Sequence, residues 1–217
     1  MLPAPRRSLP SKLYAIVDAD VAARAGWSVP DLADAYLQAG VRFLQVRAKE
    51  AAARDVLAWT EMIVRRAGDA WVIVNDRVDI AMVARTGHVH LGQDDLPVLE
   101  ARALLGPDAV IGLSTHTPEQ IDEAFGLPVD YVAVGPVFGT HTKATGYDPV
   151  GLAGVRQAHA AAHAAGVPLV AIGGITLDTA AEVIAAGASA VAVITDLLYE
   201  AHPGTRVRAY MERLGRV

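Results

Sequence analysis

Short apolar segments recur along the whole chain, and nearly every one of them ends in polar residues or glycine. The eight segments comprise residues 13–17, 43–46, 71–74, 89–91, 110–113, 131–134, 169–172 and 190–194. Each has the length of a β-strand, and most are rich in valine and isoleucine, which favour strands. The pattern predicts a protein built on buried strands.

The stretches between these segments show helical spacing. We predict a helix from the N-cap Ser28 to about Ala39, and further helices over residues 52–66, 78–84, 96–105, 118–125, 150–165, 178–186 and 205–214. Strands that alternate with helices pair in parallel, and eight such units can close into a barrel. We therefore assign the chain to the α/β class as a single (β/α)8 barrel. The alternative is a doubly wound open sheet, because periodicity alone does not show closure.

Composition supports a folded domain with a large core. Of the 217 residues, 53% are hydrophobic and 20% are charged. We assign residues 13–217 to the barrel and the proline-containing residues 1–12 to a flexible lead-in. The chain has no cysteine, which excludes disulfides and thiolate chemistry.

Charge and hydropathy exclude some classes of partner. The net charge is -5, whereas a nucleic-acid-binding protein normally carries a basic face. No apolar segment approaches the roughly 20 residues that cross a bilayer. We expect a cytoplasmic protein that binds neither nucleic acid nor membrane.

Polar residues after the second strand form the first candidate site. Gln45, Arg47 and Lys49 share one face of that strand, because side chains alternate along it. The outer face of a barrel is covered by helices, where an unpaired cation is costly to bury. We expect the three side chains to point into the barrel mouth and to bind an anion such as phosphate. The alternative is a surface run in which Lys49 pairs with Glu50.

Carboxylates follow the next two strands. Asn75 and Asp76 end the third strand, and Asp95 follows the fourth. Neighbouring strand ends bring Asp76 and Asp95 together, and two carboxylates beside a phosphate indicate Mg2+. The alternative is that both aspartates only cap helices.

The loops after the last three strands offer a second anion site. The loop over residues 135–143 contains Thr140, Thr142 and Lys143, and Gly174 allows close approach to the backbone. Ile194 and Thr195 end the eighth strand, in the region where barrels commonly bind phosphate. The alternatives are a flexible surface loop and an ordinary turn glycine.

The histidines match no zinc motif in their spacing. We interpret His90, which lies within a strand, as a pocket or core residue rather than a base.

These motifs together resemble the thiamine phosphate synthase (thiamine-phosphate pyrophosphorylase) family. The resemblance runs from Leu13 to about Leu198 and rests on ordered motifs at residues 45–49, 75–77, 89–95, 114–117, 135–143, 171–175 and 193–195. It implies a transferase that couples 4-amino-2-methyl-5-hydroxymethylpyrimidine diphosphate to 4-methyl-5-(2-hydroxyethyl)thiazole phosphate. The products are thiamine phosphate and diphosphate. Its partners would be these small molecules, and a homo-oligomer is left open.

The resemblance also implies residue roles. Gln45, Arg47, Lys49, Asn75, Ser114 and Lys143 would bind the pyrimidine diphosphate, and Thr140, Thr142, Gly174, Ile194 and Thr195 would hold the thiazole phosphate. Asp76 and Asp95 would bind the cofactor Mg2+. Arg47, Lys49, Lys143 and Ser114 are the candidate catalytic residues, and His90 completes the substrate pocket. The implied mechanism is dissociative: diphosphate leaves first, and the thiazole nitrogen captures the resulting pyrimidinylmethyl cation.

The chain departs from the family pattern in three places, namely at Gly87-His88, at Gly139 and at Thr195. None of them removes a charged group from the site.

One alternative is a thiazole tautomerase, in which His116 would transfer the proton, but such an enzyme has no diphosphate for Arg47 and Lys49 to bind. The other is a non-catalytic barrel that binds a phosphorylated metabolite.

Overall fold

A computed structural model describes residues 8–139 and 146–215. Eight parallel strands form a closed barrel in chain order, and β1 pairs with β8 to complete it. The strands are β1 (Leu13–Asp18), β2 (Phe43–Arg47), β3 (Trp71–Asn75), β4 (His88–Leu91), β5 (Val110–Thr115), β6 (Tyr131–Val134), β7 (Leu169–Ile172) and β8 (Ala190–Val193). The predicted (β/α)8 barrel is confirmed, and the open sheet is excluded.

Helices follow the strands and cover the outside of the barrel. They are α1 (Ala19–Arg24), α2 (Val29–Gln38), α3 (Ala53–Ala67), α4 (Val78–Val83), α5 (Val98–Leu105), α6 (Pro118–Phe125), α7 (Gly151–Ala165), α8 (Leu177–Ala185) and α9 (Pro203–Leu214). A 3-10 helix (Thr195–Ala201) links β8 to α9. None of the helices in the described ranges is long and apolar enough to cross a membrane.

The sequence analysis missed α1 and the 3-10 helix, because both are short and lack a full apolar period. Helix α1 begins where the Asp18 side chain accepts a hydrogen bond from the backbone N–H of Val21 at 3.0 Å. Such a cap satisfies one of the backbone donors that a helix start leaves free. The aspartate that ends β1 therefore also starts α1.

Large aromatic side chains fill the barrel at the N-terminal ends of the strands. The rings of Tyr14 and Phe43 stack at 3.6 Å, and Tyr131 meets both edge-on. Gly112 makes room for Tyr131, since a Cβ on this glycine would lie 2.1 Å from the Tyr131 Cζ. This packed layer closes the bottom of the barrel and leaves the opposite end for a cavity.

Part of the segment before β1 also packs against the barrel. Leu9 is buried in the same cluster as Tyr14 and Phe43. The Lys12 Nζ donates to the backbone carbonyl of Leu214 at 3.0 Å, which ties this segment to the end of α9. The sequence analysis grouped Leu9 and Lys12 with the lead-in, whose residues 1–7 lie outside the described ranges.

Tyr36, on α2, provides a test of the core. Its side chain is fully buried, and its hydroxyl has no hydrogen-bond partner among the described residues. A buried hydroxyl without a partner costs stability, so Tyr36→Phe should raise the free energy of unfolding by about 1 kcal/mol. Tyr210→Phe is the matched control, because it removes a 2.6 Å hydrogen bond to Asp196 and should lower that free energy. Urea unfolding of both variants measures the difference, and a destabilised Tyr36→Phe would contradict the expectation.

Candidate active site

A cavity of about 110 Å3 opens at the C-terminal ends of the strands. All eight strands contribute to it, because alternate residues of each strand face the barrel interior. Its polar lining includes Tyr14, Gln45, Arg47, Asn75, His90, Ser114, His116 and Thr195, and Gly174 and Ile194 line it as well. The barrel thus brings together eight of the predicted site residues: Gln45, Arg47, Asn75, His90, Ser114, Gly174, Ile194 and Thr195.

Arg47 is held in place by a residue that the sequence analysis did not single out. Its Nη1 donates to the Asp18 Oδ2, and the two residues are direct partners in the pairing of β1 with β2. Only 3% of the Asp18 side chain and 14% of the Arg47 side chain are exposed. The buried carboxylate orients the guanidinium at the cavity wall. The sequence does show an aspartate, Asp18, at the end of β1. Its pairing with Arg47, however, depends on the register of β1 against β2.

Lys49, Asp76 and Asp95 form a second cluster beside the cavity. The Lys49 Nζ lies 3.2 Å from the Asp76 Oδ2, and the Asp95 carboxyl is within hydrogen-bonding range of Asp76. The Asp95 Oδ2 also accepts a hydrogen bond from the backbone N–H of Gly92 at 2.6 Å. The predicted proximity of the two carboxylates is therefore present, although neither lines the cavity itself.

The backbone of Asp76 is unusual. Its φ is +61°, a left-handed conformation that few residues other than glycine adopt, although Asp and Asn tolerate it best. Burial and the neighbouring Asp95 raise the pKa of Asp76 above its ordinary value, and Lys49 offsets this in part. A strained backbone that turns one carboxylate towards another fits a site for a hard cation.

Two carboxylates are enough for Mg2+, which usually takes one or two from the protein and completes its shell with water and substrate phosphates. The described residues contain no group of three or more histidines, cysteines or carboxylates that could hold a metal ion without such help. Asp76 and Asp95 therefore fit Mg2+ only if a phosphorylated substrate supplies further oxygens. The exposed neighbour Asp94 has no part in this pair.

His90 and Ser114 lie deeper in the cavity. The His90 Nε2 is 2.8 Å from the Ser114 Oγ, and its Nδ1 is 3.0 Å from the Tyr131 hydroxyl. Gln45 donates from its Nε2 to the Tyr14 hydroxyl at 2.6 Å. The expectation that His90 is a pocket residue agrees with its place in the cavity wall. Tyr14 and Tyr131 were read only as strand residues.

The loops after β6 and β7 pack closely on each other. Gly135 and Gly173 have no room for a side chain, since a Cβ would lie 2.2 Å from the Ile172 carbonyl oxygen and 2.6 Å from the Pro136 Cα respectively. At Gly174, with φ of +65°, a Cβ would lie 2.6 Å from the Gly139 carbonyl oxygen. The glycine at position 174 is thus required by the packing of these loops, a reason that the sequence analysis did not foresee.

Hydrogen bonds to Asp196, the residue after Thr195, hold the start of the 3-10 helix in place. Asp196 accepts hydrogen bonds from Arg206, from the Tyr210 hydroxyl and from the backbone N–H of Leu177 at 3.1 Å. The last of these joins the end of β8 to the first turn of α8. Ile194, Thr195 and Gly174 consequently share one side of the cavity.

His116, which directly follows β5, also lines the cavity. Its Nδ1 donates to the Gly135 carbonyl oxygen at 2.6 Å, since a carbonyl can only accept, and its ring stacks on Tyr147 at 4.3 Å. The predicted residues Thr140, Thr142 and Lys143 lie outside the described residues.

Comparison with known proteins agrees with this architecture. Residues 13–197 match the family model described as thiamine monophosphate synthase. A thiamine-phosphate synthase of Shouchella clausii is 41% identical over 87% of this chain and 89% of its own length. One from Anaeromyxobacter dehalogenans is 45% identical over 91% of this chain and 85% of its own length. The solved thiamine phosphate pyrophosphorylase of Pyrococcus furiosus superposes with a TM-score of 0.81 at 29% identity, covering 94% of this chain and 95% of that one.

Proposed function

The chain belongs to the thiamine monophosphate synthase family, and on that premise we propose how its cavity performs the synthase reaction. The protein is a transferase of thiamine biosynthesis, a thiamine-phosphate synthase. It couples the hydroxymethylpyrimidine diphosphate to the hydroxyethylthiazole phosphate. The observation that carries the assignment of its site is the buried Arg47–Asp18 pair at the wall of a cavity in a barrel of this family.

The pyrimidine diphosphate lies on the β2–β5 side in this proposal. Gln45, Asn75 and His90 line the cavity there and offer amide and imidazole groups for the pyrimidine ring. Arg47, Lys49 and Ser114 would then contact the diphosphate, together with Lys143. The guanidinium suits this role because its planar fork matches phosphate oxygens.

Asp76 and Asp95 would hold Mg2+ beside the diphosphate. When bound there, the cation neutralises negative charge on the diphosphate oxygens. Lys49, whose Nζ lies 3.2 Å from the Asp76 Oδ2, partly compensates the negative charge of the two carboxylates and would contact the same diphosphate oxygens. A bound cation would explain why Asp76, with its left-handed backbone, holds its carboxylate next to that of Asp95.

The thiazole phosphate lies on the β7–β8 side. Gly174, Ile194 and Thr195 line the cavity there, and α8 begins close by at Leu177. The Leu177 N–H at that helix start already donates to Asp196, so backbone N–H groups of the loops after β7 and β8 would bind the phosphate. Thr140 and Thr142, outside the described residues, would also contact this phosphate.

We further infer that diphosphate leaves before the new bond forms. Arg47 and Lys49, the cationic side chains assigned to the site within the described residues, follow β2 on the side proposed for the leaving group, where they would stabilise the negative charge that develops there. The thiazole nitrogen is itself a nucleophile, so the reaction requires no covalent intermediate with the protein.

Release of diphosphate from the two purified substrates in the presence of Mg2+ tests the function. We expect diphosphate and thiamine phosphate in equal amounts, and no thiamine phosphate when the thiazole phosphate is omitted. Isomerisation of a thiazole without consumption of the pyrimidine diphosphate would indicate a tautomerase. Binding of both substrates without product would indicate a non-catalytic protein.

The metal assignment makes a separate prediction. Asp76→Asn and Asp95→Asn should each raise the Mg2+ concentration that gives half-maximal rate by about tenfold or more, because each removes a charged ligand worth at least ~1.4 kcal/mol. Asn tolerates the left-handed conformation at position 76, so the fold should persist. Asp94→Asn is the matched control at an exposed neighbouring carboxylate. Mg2+ titrations of the initial rate measure the effect, and identical titrations for all three variants would contradict the assignment.

A further inference from the structure

A continuous series of hydrogen bonds crosses the barrel interior, and four of its five residues line the cavity. Gln45 donates from its Nε2 to the Tyr14 hydroxyl at 2.6 Å, and the Tyr14 and Tyr131 hydroxyls are 2.9 Å apart. Tyr131 lies 3.0 Å from the His90 Nδ1, and the His90 Nε2 lies 2.8 Å from the Ser114 Oγ. We call this series the interior chain. It connects five strands and ends at a hydroxyl that lines the cavity.

The direction of the first bond favours one direction for the rest. The Gln45 amide N–H donates to the Tyr14 oxygen, and donation from Tyr14 to Tyr131 is then the arrangement that also pairs the Tyr14 hydrogen. Tyr131 then donates to the His90 Nδ1, because each phenol has a single hydrogen. The His90 hydrogen therefore sits on Nε2 and is donated to the Ser114 Oγ. In this arrangement the hydroxyl hydrogens of Tyr14 and Tyr131 and the ring hydrogen of His90 are each used once, and the Ser114 hydrogen remains for the cavity.

Burial supports this assignment. Tyr14 and Tyr131 are almost fully buried, and desolvation raises the pKa of both phenols above the ordinary value. Both consequently keep their hydrogens and remain donors. The Tyr131 ring cannot swing away, since it fills the space above Gly112 and stacks against His90 at 5.5 Å.

We propose that the interior chain turns the Ser114 hydroxyl into a hydrogen-bond donor aimed at the leaving diphosphate. Tyr14, Tyr131 and His90 are positioning residues that act through Ser114, and the proposal rests on the proposed function for the identity of the anion. A serine that accepts from His90 has its own hydrogen available for the cavity. With the opposite direction, Ser114 would donate to His90 and would present only lone pairs to an anion.

The tautomer of His90 is the first test, and it needs no turnover. We expect nitrogen-15 NMR of the histidine-labelled protein to show the proton of His90 on Nε2 and none on Nδ1. His90→Gln assigns the signal by its loss. A proton on Nδ1, either alone or in addition to one on Nε2, would overturn the proposal. This result is independent of whether the protein is a synthase.

Tyr131→Phe tests the link between the interior chain and catalysis. It removes the donor to Nδ1 and should allow His90 to populate both tautomers. The single-turnover rate should fall about three- to tenfold, the effect of one lost hydrogen bond, while the KM for the pyrimidine diphosphate changes little. In a Ser114→Ala background the same substitution should have almost no effect on this rate.

The double-variant comparison separates positioning from structure. An equal loss from Tyr131→Phe with and without Ser114 would show that Tyr131 does not act through the serine, and would refute the proposal. Tyr36→Phe is the control, because Tyr36 is a buried tyrosine of α2 that is not among the residues lining the cavity, and it should leave the rate unchanged. If the protein did not turn over its substrates, the proposed function would fail while the NMR result still decided the direction of the interior chain.

Discussion

Arg47→Gln should lower kcat by about two to three orders of magnitude, corresponding to the loss of roughly 3–4 kcal/mol of transition-state stabilisation. The negative charge on the departing diphosphate grows as its bond to the pyrimidine methylene breaks. The guanidinium at the end of β2 lines the cavity and is held by Asp18, so in the proposed complex it would meet that charge without reorganisation. Single-turnover rates measure the loss, and the KM for the thiazole phosphate should change little.

The same substitution also leaves Asp18 buried without its cation. Breaking a buried ion pair by removing one partner commonly costs about 3–5 kcal/mol of stability. Asp18→Asn combined with Arg47→Gln should therefore regain stability but not activity, which separates folding from catalysis. Arg42→Gln is the matched control, because Arg42 pairs with Asp69 before the start of β2 and is exposed. A single variant that kept its kcat and raised only the KM for the thiazole phosphate would contradict the proposed division of the cavity.

An electron-withdrawing substituent on the pyrimidine should have a still larger effect. With trifluoromethyl in place of the methyl group, we expect the chemical step to slow by several powers of ten, each requiring about 1.4 kcal/mol of added barrier. The substituent destabilises a pyrimidinylmethyl cation, whereas it changes the size of the ring little. The loss should fall on the transition state and leave binding nearly normal.

Single-turnover rates with such analogues distinguish the two orders of events. Binding is measured separately, by competition of the analogue against the normal pyrimidine diphosphate. Rates that do not depend on the substituent, with chemistry as the slow step, would indicate direct displacement by the thiazole nitrogen. A steep dependence together with unchanged competition would support ionisation before capture.

Gly174 illustrates how a residue can be predicted for an incomplete reason. From the sequence, Gly174 is predicted to let an anion approach the backbone closely, and Gly174 does line the cavity. The structure adds that its missing side chain accommodates Gly139 and Phe138 of the loop after β6. Substitution at this position would disturb both loops. A selective loss of thiazole phosphate binding is therefore not expected from Gly174→Val.

The sequence by itself determined the alternation of eight strands with helices and the polar composition of the strand ends. Strand and helix periodicities are local properties of the backbone, so short segments of sequence are enough to predict the alternation of strands and helices. The location of polar residues at strand ends, such as Arg47 and Asp76, could also be predicted, because parallel strands place those ends on one side of the fold. Helix α1 was not predicted, since a helix of six residues is too short to show a hydrophobic period.

Only the tertiary structure decided which side chains meet. Tyr14 and Tyr131 are 117 residues apart and share a hydrogen bond, and Asp18 faces Arg47 across the pairing of β1 with β2. Such partners depend on strand register and on closure of the barrel, neither of which periodicity specifies. Tyrosines in buried strands read simply as core residues for the same reason. The closed barrel brings the Tyr14 hydroxyl to Gln45 and the Tyr131 hydroxyl to His90.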